Sequence, residues 1–185
     1  GHEGFSMKSS DGGAASHYYS MTRLHAEGNL RIDGRDNAVE GTAWMDREWS
    51  SNSLGRDHAG WDWFALHLSD GSDLMYYRMR LTNGEEDTTS GGVFVSEMGE
   101  VVKLKQQEFL LQVVDYWSSP QDGPRYPAGW ILQVPSLDID LTIAPLLPDQ
   151  ELQGVFRYWE GAVSCSESLS VNGSDCTGYV ELTGY

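Results

Sequence analysis

Leu137-Asp138-Ile139-Asp140-Leu141-Thr142-Ile143 is the stretch that decides the fold class. On an extended chain Leu137, Ile139, Leu141 and Ile143 share one face, while Asp138, Asp140 and Thr142 share the other. That two-residue period marks a half-buried antiparallel strand, with one side against a core and the other in water. Helical spacing is absent almost everywhere else, and the same alternation recurs in both directions along the chain.

Working outward, Trp130 to Val134 forms the partner strand around Pro135, preceded by a proline-bearing loop over 118–128. Further upstream lie strand candidates at 108–117, 101–105 and 92–98. Residues 60–68 and 73–81 flank Ser69-Asp70-Gly71-Ser72, a hairpin signal, and Asn83-Gly84 ends that pair. Residues 19–32 run into the Asp33-Gly34 turn, and 38–49 follow. Downstream, 153–164 and 176–184 close the chain. Residues 1–16 are rich in Gly and Ser and read as a linker or arm, leaving 17–185 as one β domain. Short strands joined by tight turns imply a sandwich or a closed barrel, and the spacing alone leaves both open.

At 185 residues the chain is the size of one domain with a sizeable core, and 39% hydrophobic residues is ordinary for a globular protein. The net charge of -16, from 28 acidic and 12 basic residues, repels phosphate backbones and anionic lipid surfaces, so no nucleic-acid partner is expected. The simplest role for that charge is solubility. No apolar run approaches a membrane span, and Gly1-His2-Glu3-Gly4 is not a signal peptide. With no initiator Met, the sequence reads as a processed or excised piece, from which a leader could have been removed. Cys165 and Cys176 form a disulfide or stay free. An Asn172-Gly173 hairpin turn would set Cys165 opposite Val180 rather than Cys176, so a bond would need a different turn.

Gly41-Thr42-Ala43-Trp44-Met45-Asp46-Arg47-Glu48-Trp49 carries the most chemistry. Trp44, Asp46 and Glu48 share one strand face, with Glu40 and Thr42 behind them. Two neighbouring carboxylates beside a large aromatic suit general acid–base work, because burial holds one of them protonated. The same pattern also fits a solvated strand face. On 73–81, Tyr76, Arg78 and Arg80 alternate with Met75, Tyr77, Met79 and Leu81, and Asp46 or Glu48 are the partners expected for the arginines. Trp61, Trp63, Tyr116, Trp117, Trp130, Tyr158 and Trp159 either fill a barrel core or line an apolar ligand cavity. The five histidines lack metal-ligand spacing, and neither a nucleophile elbow nor a phosphate-binding glycine loop is present, so no metal or cofactor is expected. Asn172-Gly173-Ser174 is a formal glycosylation triplet.

Taken in order, several segments resemble the CrtC/AttH-like family, the relatives of carotenoid 1,2-hydratase. They are His17-Tyr18-Tyr19-Ser20, Gly41 to Ser51, Gly60-Trp61-Asp62-Trp63-Phe64-Ala65-Leu66, Leu74 to Arg80, Tyr158-Trp159-Glu160-Gly161-Ala162-Val163 and Gly178 to Tyr185. The resemblance runs over residues 1–185. It implies an all-β, antiparallel lipocalin-like (calycin-type) barrel with little helix, forming the second half of a two-domain parent whose N-terminal half is a similar barrel. It implies export, to the periplasm or beyond, with a cytoplasmic location the alternative. It also implies an apolar, isoprenoid- or lipid-like small molecule undergoing hydratase- or isomerase-type chemistry. The family's aromatic-x-Asp motif falls on Trp44-Met45-Asp46, with Trp where the hydratases have Tyr. Asp46 and Glu48 are thus the catalytic candidates. Tyr19, Trp44, Trp63, Tyr76 and Arg78 are the ligand-binding candidates. The alternative is a non-catalytic structural or interaction domain.

Overall fold

A computed structural model describes residues 4–9, 14–50, 54–120, 123–154, 157–167 and 175–185. A first sheet joins β1 (Phe5–Met7), β2 (Ala15–Ile32) and β3 (Arg35–Trp49) in that order. β1 lies within the stretch read as an arm. The long β2–β3 ribbon turns at Asp33-Gly34, both with positive φ (50° and 78°), the conformation a two-residue hairpin requires. Between Met21 and Leu24 the register shifts, and such a bulge adds twist. Beyond it the ribbon leaves the rest of the molecule, and Leu24 to Gly41 are exposed on both faces.

The second sheet holds β4 (His58–His67), β5 (Asp73–Leu81), β6 (Gly91–Val95), β7 (Val101–Lys105), β8 (Leu110–Ser118), β9 (Arg125–Val134), β10 (Ile139–Pro145), β11 (Glu151–Gln153), β12 (Arg157–Glu167) and β13 (Asp175–Thr183). Its order is β7-β6-β5-β4-β13-β12-β10-β9-β8, with β11 beside β12 and every pair antiparallel. The two edges, β7 and β8, are consecutive in sequence, joined by a 3-10 turn at Gln106–Glu108. So short a link reaches at most about 18 Å. Nine flat strands would span about 38 Å. The sheet must therefore curl until its edges approach, which makes it a half-barrel of lipocalin type.

Side chains fill the inside of the curl. Phe64 on β4 meets Trp130 on β9 edge-on at 5.6 Å, and Trp130 meets Trp159 on β12 at 6.3 Å. Tyr76 stacks between Phe64 (5.9 Å) and Phe109 (4.3 Å). Leu66, Leu74, Leu132, Val134, Leu141, Ile143, Val180 and Leu182 complete the core, all essentially without solvent exposure. A Cβ at Gly92 would collide with the Met75 carbonyl and come within 2.6 Å of the Phe109 ring, so this position admits only glycine.

Several expectations need adjusting. β9 begins at Arg125, inside the segment read as a loop over 118–128. Leu137 sits in a 3-10 turn (Pro135–Leu137), not on the strand, although it still packs on the core. The β12–β13 register sets Cys165 opposite Cys176, 4.8 Å apart at Cα, and the two form a disulfide buried in the core. Cys165 therefore does not face Val180, which pairs with Gly161. The Asn172-Gly173 turn and the glycosylation triplet lie outside the described residues.

Candidate functional site

Because strand residues alternate, β4, β5 and β13 each present a second face, turned away from the core. Their pairing aligns Glu181, Trp63 and Tyr77 in one transverse row, with Trp61 beside Met79 and Ala65 beside Met75 in the neighbouring rows. The first sheet lies over this outer face. Between the two is a cleft of about 510 Å³ lined by Tyr18, Asp46, Glu48, Trp61, Trp63, Tyr77 and Glu181, among others. Arg23 moors the ribbon by bonding Asp73 (2.6 Å) and the Ser72 carbonyl (3.1 Å) at the start of β5. Trp44 packs edge-on against Trp63 (6.2 Å) and near His67 (5.7 Å).

The ribbon wall supplies two carboxylates. Asp46 Oδ1 accepts from the Tyr18 hydroxyl at 2.6 Å, Ser20 Oγ at 2.5 Å and Trp44 Nε1 at 3.1 Å. β2 and β3 set these groups side by side, with Ser20 opposite Asp46 and Tyr18 opposite Glu48. Burial, reinforced by the Asp46 charge, pushes the Tyr18 hydroxyl well above its ordinary range, so Tyr18 stays a donor. Glu48 pairs with Lys8 at 2.7 Å, and the Lys8 ammonium lies 5.7–5.8 Å from the Tyr18 and Tyr77 rings.

The half-barrel wall supplies a third carboxylate, on Glu181. Trp61 Nε1 donates to Glu181 Oε1 at 2.8 Å. Burial first, then the charges of Glu160, Glu48 and Asp46, push the Glu181 carboxyl up to about 7, against the Trp61 hydrogen bond, which pulls it down. Glu160 lies directly opposite Glu181 on β12.

The residues singled out from sequence separate into two groups. Asp46, Glu48 and Trp63 line the cleft, and Trp44 buttresses it through Asp46 and Trp63. Tyr19 faces the other side of the ribbon, 43% exposed and edge-on to Trp49. Tyr76 is part of the filled core, its hydroxyl donating to Glu86 at 3.0 Å. Arg78 and Arg80 do not meet Asp46 or Glu48, because β5 alternation turns them to the opposite face. They converge on buried Asp62 at 3.7 and 3.0 Å, and Arg78 also reaches Glu86 at 3.5 Å. Tyr185 donates to Asp62 at 2.8 Å and lies under the Arg80 guanidinium. Burial raises the Asp62 carboxyl, and Arg80, Tyr185 and Arg78 pull against it. This network pins the end of the half-barrel. Tyr18, Ser20 and Glu181 were not among the site candidates, and strand pairing brings them to the cleft. Ser20 pairs with Asp46 across the ribbon, and Tyr18, two residues away, shares its face, whereas Tyr19 points elsewhere.

A curled antiparallel sheet with a packed interior and a polar-aromatic cleft on its outer face defines a lipocalin-like half-barrel protein. More specifically, the chain belongs to the AttH-like family, whose profile matches residues 1–185. A crystal structure of an AttH-like protein from Nitrosomonas europaea is 34% identical, with a TM-score of 0.86, over 100% of this chain and 57% of that one. Kievitone hydratase from Nectria haematococca shares the fold, with a TM-score of 0.75 at 20% identity over 97% and 55% of the two chains. The chain thus spans little more than half the length of either. No curated protein matches it. Among the described residues, no helix is long and apolar enough to cross a membrane.

Proposed function

We propose that the outer cleft binds an apolar, isoprenoid- or lipid-like small molecule and performs acid–base chemistry on it, of hydratase or isomerase type. One observation carries the reading: a single cleft joins the carboxyl groups of Asp46, Glu48 and Glu181 to walls of Trp61, Trp63, Met75, Tyr77 and Met79. The apolar walls hold a hydrocarbon body and exclude water, and the carboxyl groups exchange protons with whatever reaches them. The hydratase among the structural neighbours is in keeping with this chemistry. Export is part of the proposal, supported by the disulfide, which persists in oxidising compartments.

A second element concerns the distal ribbon. Leu24, Leu30, Ile32 and Val39 are exposed there. We propose that this ribbon is the docking face for the N-terminal lipocalin-like half of a longer parent. That face also favours the alternative role, an interaction domain without catalysis.

Quenching of indole fluorescence by geraniol, a ten-carbon isoprenoid alcohol, tests the ligand reading. Trp63→Ala and Met75→Glu should each weaken binding at least tenfold. Failure of the wild-type chain to bind, or unchanged affinity in both variants, would remove the apolar-ligand reading.

A further inference from the structure

We infer that Glu181 is the proton donor of the cleft, protonating a carbon–carbon double bond of the bound ligand, while Asp46 accepts the proton of the incoming water. This rests on the acid–base reading above and assigns the roles within it. It departs from the sequence-based assignment, which placed the acid on the aromatic-x-Asp motif.

The geometry distinguishes the two carboxyls. Asp46 Oδ1 is met by three donors on the ribbon, Tyr18, Ser20 and Trp44, and is organised to accept. Among the described residues Glu181 accepts a bond from neutral Trp61, and it feels like charge from Glu160 on β12 and from Asp46 and Glu48 on β3. The Glu181 charge also acts on Tyr158 and Tyr179, and Tyr77 lies in its row. Lys8 is the cation lining the cleft among the described residues, and Glu48 holds it at 2.7 Å. Burial, and after it these neighbouring carboxylates, push the Glu181 carboxyl up to about 7, the range that suits a general acid. Glu181 and Asp46 stand on opposite walls, and a ligand between them has an acid on one side and a base on the other.

The step balances without any group beyond water. The Glu181 O–H bond breaks as the double bond's electron pair forms a C–H bond to that proton. A lone pair of water forms the C–O bond at the other carbon, and the water's O–H proton passes to the Asp46 carboxylate. The product is the ligand plus one water. Return of the proton from Asp46 to Glu181 through solvent restores the site, and the reverse sequence is dehydration.

The first test needs no substrate. In protein labelled with ¹³C at the Glu side-chain carboxyls, the resonance lost in Glu181→Gln should titrate near pH 7. Its midpoint should fall when Glu48→Gln or Asp46→Asn removes a neighbouring charge, a response that a merely structural carboxyl at the surface would not give. A midpoint below about 5 overturns the inference, since Glu181 would then carry almost no proton to give. The second test offers geraniol to the intact protein in D₂O and follows deuterium at its double-bond carbons by mass spectrometry. Glu181→Gln should bind geraniol as wild type does and exchange 10²–10⁴-fold more slowly. Exchange at the wild-type rate in folded Glu181→Gln overturns the assignment, as does wild-type binding without exchange. If the wild type does not bind geraniol, the proposed ligand class fails, and the NMR midpoint alone decides the role of Glu181.

Discussion

The inner and outer faces of β4, β5 and β13 are built from alternate residues of the same strands, yet they have opposite characters. Inward, Phe64, Tyr76, Val180 and Leu182 close the curl so fully that none is more than 1% exposed. Outward, Trp63, Tyr77 and Glu181 stand one residue away along the same backbone and line an open cleft. Large aromatics are common to both faces, so aromatic content does not tell a core from a site. The difference lies in what covers each face. The inner face is covered by the rest of its own sheet, at close-packed density. The outer face is covered by a ribbon tethered through the Arg23 contacts and the packing of Trp44 on Trp63 and His67, which leaves a gap with carboxyl groups on both walls.

The comparison breaks most readily through the aromatics. Trp130→Ala, at the centre of the curl, should cost about 3–5 kcal/mol, since the surrounding side chains cannot collapse onto the space. Trp63→Ala, on the cleft wall, should cost well under half as much while weakening ligand binding. Equilibrium urea unfolding of both variants measures this, and equal losses would show that the two faces do not differ as described.

The disulfide probes the inner face alone. Replacing Cys165 and Cys176 together by Ala should lower stability by about 3 kcal/mol in the chain-entropy picture of a short closed loop. Because the pair sits in the core, ligand binding at the cleft should be unchanged. Purified native protein should show no thiol available to an alkylating reagent until it is unfolded and reduced. Free thiols in the folded protein would contradict both the bond and the support it lends to export.

Glu181 probes the outer face through pH. Its folded-state value, raised to about 7 from the ordinary 4.5, means that the folded chain holds this proton more tightly than the unfolded chain does. That contribution to stability is complete below about pH 4.5 and is lost as pH rises through about 7. Glu181→Gln should therefore match wild type at pH 4 and exceed it at pH 8. Allowing for the solvent that reaches the cleft, the gain is about 2 kcal/mol. A difference independent of pH would place Glu181 outside the buried wall.

Much of the fold was legible because a two-residue period needs only local reading. Strands 73–81 and 101–105 match β5 and β7, and Asp33-Gly34 forms the expected turn. The Trp44-Asp46-Glu48 face was legible for the same reason, since strand geometry places the three side chains together whatever lies opposite. Which face of the 60–81 hairpin turns inward was not legible, because Trp61 and Trp63 are as bulky as Phe64 and Leu66 on the other face. That ambiguity put Tyr76 and Arg78 among the ligand residues and left Glu181 out. Glu181 reaches the site because β13 returns between β4 and β12, a pairing between residues more than 100 positions apart that no local pattern encodes. The partners of Arg78 and Arg80 were not legible because the inward face of that hairpin was not: Asp62, on the neighbouring strand, turns inward with them.

The most direct test of where the site lies uses the indole N–H signals of the seven tryptophans. In a ¹H–¹⁵N spectrum titrated with geraniol, the signals of Trp61 and Trp63 should move together with the ligand, followed by those of Trp44 and Trp49. Those of Trp130 and Trp159, sealed in the curl, should stay in place. Movement of Trp130 and Trp159 with Trp61 and Trp63 unmoved would contradict the account, returning the ligand to the barrel interior.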